Sequence, residues 1–290
     1  MENVSVEVFD GGYCLHSERS VIRGGRLNVV KFPSMFFLIR HPTQGNILFD
    51  TGYSNQFHQE TKHFPEKLYS MITPVRVSDC DLAVTKLRLS GIDPEDIHHI
   101  ILSHFHADHM AALSDFPRAK IHYMDECLSS LLRLSRFGQV RQGFLRGLLP
   151  DNFEKRSMPF KKSDFTHTSV MGNSFEEAYD FFGDGLILGV SLPGHVKGQL
   201  GLYIAGERPV FLVSDACWLS KAYRENLLPS PLAMLFMNCS RDYKRTLTQI
   251  HSLYKYRTDI VIMPSHCGEI WKKHALRKSW NETNVSGLVH

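Results

Sequence analysis

The sequence predicts an α+β fold in a single domain. Short apolar and β-branched runs recur along the 290 residues and read as strands. Stretches with helical periodicity separate them, and no repeat, linker or low-complexity segment divides the chain. Several of the strand-like runs also stop at a residue able to bind a metal, which ties the fold to a function.

Residues 4–9 alternate and read as a first strand, and Gly11 and Gly12 as a turn. Residues 14–31 read as a mixed loop. Phe32 to Arg40 is an aromatic, β-branched strand that returns through the turn His41 to Gly45 into the strand Asn46 to Asp50, closed by Asp50-Thr51-Gly52. Residues 53–78 read as a loop and a short helix ending before Pro74. Asp79 to Ser90 has an acidic start and helical spacing, and Gly91 follows as its stop. Ile100 to Leu102 is a short buried strand ending at Ser103, and a helix begins near Met110. Residues 120–124 form another strand. Asp125 to Arg146 is an amphipathic helical stretch, and residues 126–175 are expected to be an insertion lying over the core as a lid. The β pattern returns at Leu186 to Leu192, at a hairpin of residues 201–205 and 209–214, and at residues 259–263. Residues 219–238 are apolar but irregular. Arg241 to Tyr256 is an amphipathic helix, and the polar tail from Lys278 is expected to be loose.

Composition excludes several classes. Hydrophobic residues make up 43% and charged residues 22%, as in ordinary globular proteins. A formal net charge of +3 is too weak to argue for nucleic acid. Cys14, Cys80, Cys127, Cys217, Cys239 and Cys267 form no CxxC pair, so neither a zinc ribbon nor a thioredoxin-type motif is expected. The acidic N-terminus lacks the apolar core of a signal peptide, and no run of apolar residues could span a bilayer. The glycosylation patterns at Asn281 and Asn284 then read as chance, and the cytoplasm is the default compartment.

The chemistry is concentrated after Ser103. His104, His106, Asp108 and His109 put four metal-capable groups within six residues. Neutral imidazole suits zinc and related ions, and a carboxylate adds charge that holds a second ion or shares one. Three later places share the layout of an apolar strand that stops and then a ligand-type residue: His195 after Pro193-Gly194, Asp215 after Ser214, and His266 after Pro264-Ser265. These positions converge only if their strands end on one edge of the fold.

With Asp50-Thr51-Gly52, this pattern resembles the metallo-β-lactamase superfamily, with its HxHxDH motif, a later His, a bridging Asp and a last His. The resemblance implies a four-layer αβ/βα sandwich holding two divalent metal ions, with zinc the first expectation and manganese, iron or cobalt fitting almost as well. One ion would take His104, His106 and His195, and the other Asp108, His109 and His266, with Asp215 bridging. Asp50 would orient a ligand through a hydrogen bond. Asp108 and Asp215 would be catalytic. The ligand set disfavours the true β-lactamases, which usually carry a basic residue at the place of His109 and often Cys at that of Asp215. His106 argues against the redox di-iron relatives.

The layout is most similar to the N-acyl-homoserine lactonase branch. That implies a hydrolase of a small ester, lactone or thioester, in which a metal-bridging hydroxide attacks the carbonyl. The branch often has Tyr three residues after the bridging Asp, where this chain has Trp218. Trp218, Tyr223 and Tyr53 are therefore the candidate substrate contacts. Two other readings remain: a phosphodiesterase acting on nucleotide or RNA, for which the weak net charge gives little support, and a metal-binding biosynthetic accessory protein with weak catalysis. The expected partner is a small molecule, with no nucleic acid and no membrane span, in a monomer or homodimer.

Overall fold

A computed structural model describes residues 4–275, so the polar tail from Lys278, with Asn281 and Asn284, lies outside the described residues. Two mixed sheets face each other. The first contains β1 (Ser5–Ser17), β2 (Val29–His41), β3 (Gly45–Phe49), β4 (Val75–Arg76), β5 (Ile97–Ile101), β6 (Lys120–Met124) and β7 (Ser157–Phe160), in the order β4-β1-β2-β3-β5-β6-β7. The second contains β8 (Thr166–His167), β9 (Glu177–Asp180), β10 (Ile187–Ser191), β11 (Leu200–Ile204), β12 (Val210–Ser214) and β13 (Val261–Pro264), in the order β13-β12-β11-β10-β9-β8.

Strand alternation builds the layers. On β2, Met35, Phe37 and Ile39 point into the core between the sheets, while Phe36 and Leu38 point to the outer layer. On β12, Val210 and Leu212 enter the same central core, and Phe211 and Val213 face the other outer layer. Strands buried on both faces need near-continuous apolar runs, which is why these segments are legible as strands. The helix Ser240–Tyr256 closes the second outer layer with Tyr243, Thr246, Leu247, Ile250 and Leu253, a 3.6-residue stripe. The fold is the expected four-layer sandwich.

Several local expectations change. The first strand does not end at the glycines. It runs to Ser17, with a register shift between Asp10 and Tyr13 that contains Gly11 and Gly12. A Cβ on Gly11 would lie 2.7 Å from the Gly52 Cα, so this glycine serves close backbone approach. Tyr53 N–H donates to Gly11 O at 2.9 Å, which pins the Asp50-Thr51-Gly52 loop against β1. The helical stretch after Asp125 breaks into Asp125–Leu132 and Arg136–Arg141, with Ser135 Oγ accepting from Gly138 N–H at the second start. Residues 126–175 divide accordingly. Their first part forms these helices, and their later part adds edge strands to both sheets, β7 beside β6 and β8 beside β9. The irregular segment 219–238 contains two short helices, Ser220–Glu225 and Pro231–Met234. Among the described residues, no helix is long and apolar enough to cross a membrane.

At the edge of the first sheet where β2 ends and β5 begins, three histidines collect. His99 Nδ1 lies 2.9 Å from His122 Nε2, and His41 Nε2 lies 3.0 Å from Asp184 Oδ2. Phe181 and Phe182 pack over them. Burial, with His99 and Lys120 adding repulsion, lowers His122 to about 3. Burial, Lys120, His98 and His41 lower His99 to about 4. Both rings are therefore neutral in the fold and protonate more readily in the unfolded chain. Their stabilisation is present above the unfolded value of about 6.5 and is lost as pH falls toward the folded values. His122 alone is expected to cost about 2 kcal/mol of stability between about pH 7 and pH 5. Denaturant unfolding at the two pH values should show that loss, and His122→Gln should flatten it.

Candidate metal centre

The strand ends do converge. β3, β5, β10, β12 and β13 stop on one edge, which carries Asp50, Ser103, His104, His195, Asp215 and His266. The parallel pairs β3–β5 and β12–β13 make this possible, because parallel neighbours finish on the same side. Two residues at these ends, Asp50 (φ 60) and Ser214 (φ 48), hold left-handed backbone. That conformation costs roughly 1–2 kcal/mol for an ordinary residue and persists where surrounding bonds over-determine it. At Asp50 those bonds are visible. Its carboxylate accepts from Ser103 N–H and Ser103 Oγ, each at 2.8 Å, and from His109 Nδ1 at 2.7 Å.

Two groups of side chains result. His104, His106, His195 and Asp215 place one donor atom each within 4.8 Å of one another, and Asp108, His109, Asp215 and His266 do the same. Asp215 belongs to both and turns a different oxygen to each. Its Oδ1 lies 3.3 Å from His109 Nε2 and 3.2 Å from His266 Nε2. Its Oδ2 lies 3.4 Å from His195 Nε2. Asp108 Oδ2 sits 3.3 Å from His109 Nε2 and 3.2 Å from His266 Nε2. All seven predicted ligand positions are thus brought together.

The far side of each imidazole is held as well. His266 Nδ1 donates to Pro33 O at 2.8 Å, and His109 Nδ1 donates to Asp50. His104 Nδ1 meets Ser103 Oγ at 2.9 Å, and Ser214 Oγ donates to that same hydroxyl. These bonds leave the Nε2 atoms facing inward. His106 uses the opposite nitrogen. Its Nδ1 lies 3.1 Å from His195 Nε2, while its other edge packs on Gly143 (φ 70), where a Cβ would come within 2.5 Å of the ring. The short helix Ala107–Met110 is fixed by Thr51, whose N–H and hydroxyl donate to His109 O at 2.8 and 3.0 Å. Ser34 Oγ donates to Asp108 O. The sequence flagged Asp50 among these supports. Ser34, Ser103 and the Pro33 carbonyl were missed, since serines and main-chain oxygens carry no signal until the fold places them.

The electrostatics ask for positive charge. Burial alone would raise Asp108 and Asp215, but His109 and His266 overcome it and hold both carboxyls well below the usual range. In return, against burial, the carboxylates raise His109 well above its ordinary value and His266 to about 10. Burial lowers His195 to about 3, and burial followed by His109 and His106 lowers His104. His104 Nε2, His109 Nε2, His266 Nε2 and Asp215 Oδ1 are buried without a hydrogen-bond partner. Inward-facing imidazole nitrogens beside two buried carboxylates fit divalent cations, which would displace the protons on His109 and His266.

A cavity of about 510 Å³ opens onto both groups at His106, Asp108, His195 and Asp215. Its walls are mostly apolar. Trp218 lines it, but its Nε1–H donates to Asp215 Oδ2 at 2.9 Å and its ring lies 4.3 Å from that of His266. Tyr53 also lines the cavity. Tyr223 does not: it is buried in the outer layer of the second sheet and its hydroxyl donates to Ile262 O, so the expected substrate contact at Tyr223 is not formed from this cavity. The short helix Ser220–Glu225 turns it away from the edge. Tyr69, which the sequence did not single out, lines the cavity instead. Burial, Asp108, Cys14 and Asp215 hold its phenol well above the usual range, so it remains a proton donor.

Fold and site together define a metal-dependent hydrolase. Residues 29–206 match the family model for the metallo-beta-lactamase superfamily, and the chain belongs to that family. It is 24% identical over 247 residues to the N-acyl homoserine lactonase AttM of Azorhizobium caulinodans, covering 83% of this chain and 84% of that one. It is 24% identical over 240 residues to the N-acyl homoserine lactonase AiiB of Agrobacterium fabrum, covering 81% and 79%. A solved N-acyl homoserine lactone hydrolase with the product N-hexanoyl-L-homoserine at its catalytic metal centre superposes with TM-score 0.72 at 17% identity, covering 94% of this chain and 97% of that one. The dizinc lactonase AidC superposes at 0.63 with 14% identity, covering 91% and 88%.

Asp50→Asn should keep the Oδ1 acceptor for Ser103 N–H while replacing Oδ2, which accepts from both Ser103 Oγ and His109 Nδ1, by an amide donor. Zinc affinity, measured by competition with a chromophoric chelator, is expected to fall about 10- to 100-fold with an unchanged circular dichroism spectrum.

Proposed function

We propose that this chain is a dinuclear hydrolase of small esters, lactones or thioesters, with an acyl lactone such as an N-acyl-homoserine lactone as the favoured substrate. The observation that carries the reading is the apolar cavity ending on two ligand groups that share Asp215. An acyl chain fits its walls, and the reacting carbonyl would then lie beside Asp108 and Asp215. One ion would be held by His104, His106 and His195, the other by Asp108, His109 and His266, with Asp215 serving both through its two oxygens. When bound, two such ions polarise a carbonyl and make water nucleophilic near neutral pH.

The chain's own residues supply the rest. The apolar walls exclude water and orient the acyl group. Trp218 fixes Asp215 by its Nε1–H bond and so positions a shared ligand instead of contacting the carbonyl. Tyr69, which lines the cavity and keeps its proton, would hydrogen-bond the substrate carbonyl, the task that relatives of this branch often give to a Tyr after the bridging Asp. Asp108, at the cavity floor, takes up the proton released on attack and returns it to the leaving oxygen.

A substrate panel tests the reading with zinc-loaded enzyme in a weakly buffered indicator assay. Turnover of acyl lactones without cleavage of phosphodiesters is expected. The reverse pattern would establish the phosphodiesterase alternative, and tight metal binding without any turnover would establish the accessory-protein one. His106→Ala should lower kcat/KM by more than about 100-fold, and full activity in that variant after chelation would overturn the metal-hydrolase assignment. Tyr69→Phe should lower kcat about 10- to 100-fold with zinc content unchanged.

A further inference from the structure

The mouth of the cavity is itself unusual. Residues 62–73, 130–146 and 226–239 border it, together with residues 14–21, which contribute Cys14, His16, Ser20 and Val21. Each contributes to the cavity wall, through Ile72, Phe137 and Leu232 among others, and Arg136 joins the first two by hydrogen bonds of 2.6 and 2.7 Å to Glu66. Met71, Ile72, Phe137, Leu232, Leu235 and Phe236 are each between 59% and 74% exposed. Single exposed apolar side chains are ordinary. Four of these, Ile72, Phe137, Leu232 and Phe236, line one opening, and Met71 and Leu235 adjoin Ile72 and Phe236 in the chain; together they form a patch of the kind that marks an interaction surface.

The charge on these segments is mostly positive. Residues 62–73 and 130–146 hold Lys62, Lys67, Arg133, Arg136, Arg141 and Arg146 against a single acid, Glu66, which Arg136 already binds; residues 226–239 hold no charge, and residues 14–21 hold one of each sign, Glu18 and Arg19. Glu60, just before the first segment, lies against Gly147. Lys67 Nζ stands 6.0 Å from the centre of the exposed Phe64 ring, a cation beside an apolar side chain. Apolar side chains ringed by lysine and arginine suit a lipid interface, where the former enter the acyl boundary and the latter meet headgroup phosphates. A second copy of this chain fits less well. A two-fold contact would set the patch against itself and bring one basic rim onto another.

We propose that this rim docks the protein on anionic lipid surfaces, with the cavity mouth facing the bilayer. An amphiphilic acyl substrate could then pass from lipid to cavity along apolar surface. That last step rests on the hydrolase reading, whereas the docking does not, because lipid binding is read without turnover.

The test is flotation of the full-length, zinc-loaded protein with vesicles of phosphatidylcholine alone and with vesicles of phosphatidylcholine and phosphatidylglycerol in equal parts. Binding to the mixed vesicles is expected, weakening as salt is added. The double variant Met71→Asp/Leu235→Asp, whose two positions do not line the cavity, should lose about tenfold or more in partitioning. Lys67→Glu and Arg133→Glu should each lose roughly fivefold or more for mixed vesicles, with little change for phosphatidylcholine. All variants should keep wild-type circular dichroism spectra and wild-type hydrolysis of a water-soluble short-chain lactone. No flotation of the wild type, or flotation unaltered by the double variant, would overturn the proposal. So would a lipid-free dimer that the double variant dissociates while vesicles bind neither form. Flotation with no lactone turnover would leave the docking standing and remove the hydrolase reading alone.

Discussion

Two carboxylates buried at one sheet edge impose the constraint to which the rest of the structure answers. Asp108 and Asp215 are almost fully shielded from water, and an isolated carboxylate in that setting would take up a proton. Both instead stay ionised because His109 and His266 lie within 3.3 Å. The arrangement holds negative charge that only cations can offset, whether protons on imidazole or metal ions. Every other feature of the edge keeps those imidazoles from turning away: the Asp50 bond to His109, the Pro33 carbonyl under His266 and the Ser103 hydroxyl beside His104. The left-handed backbone at Asp50 and Ser214 belongs to the same economy, since it lets the chain leave a strand and turn a polar group straight into the site.

Much of this was legible in the sequence, for a physical reason. A strand buried on both faces must be apolar throughout, so its end is conspicuous, and a ligand-type residue after it stands out. His195, Asp215 and His266 could be paired with the His104–His109 cluster on that basis although long stretches separate them. What the sequence hid depends on geometry that has no compositional trace. Gly11 and Gly12 read equally well as a turn or as a bulge in a continuing strand, and only the approach of Gly52 decides between them. Tyr223 and Tyr69 are both tyrosines in apolar surroundings. One is turned toward the Ile262 carbonyl by a short helix that the irregular segment 219–238 did not announce, and the other is carried to the cavity by the helix Lys67–Ile72.

Trp218 shows how a single replacement redistributes roles. An indole N–H can only donate, and here it donates to the carboxylate oxygen that faces His195. The bond fixes the shared ligand, and the indole ring, in contact with His266 and with Phe32, lines the cavity wall. A group so engaged has no donor left for substrate. On the proposed reading, a hydrogen bond to a reacting carbonyl would come from elsewhere in the cavity, and Tyr69 is a cavity-lining phenol kept protonated by burial first and then by Asp108, Cys14 and Asp215.

The centre and the cavity mouth make opposite demands on solvent. The buried carboxylates and imidazoles work best where water is scarce, because low polarity strengthens their mutual attraction. Such a site must still admit a substrate. An opening lined by Ile72, Phe137 and Leu232 suits an apolar chain but presents apolar surface to water, which carries a free-energy cost of its own. Covering that rim with lipid would remove the cost and, on the proposed hydrolase reading, bring acyl substrates to the cavity. The basic residues among the apolar ones are consistent with this solution, since arginine and lysine can lay their stems along an apolar surface while keeping their charges at its edge.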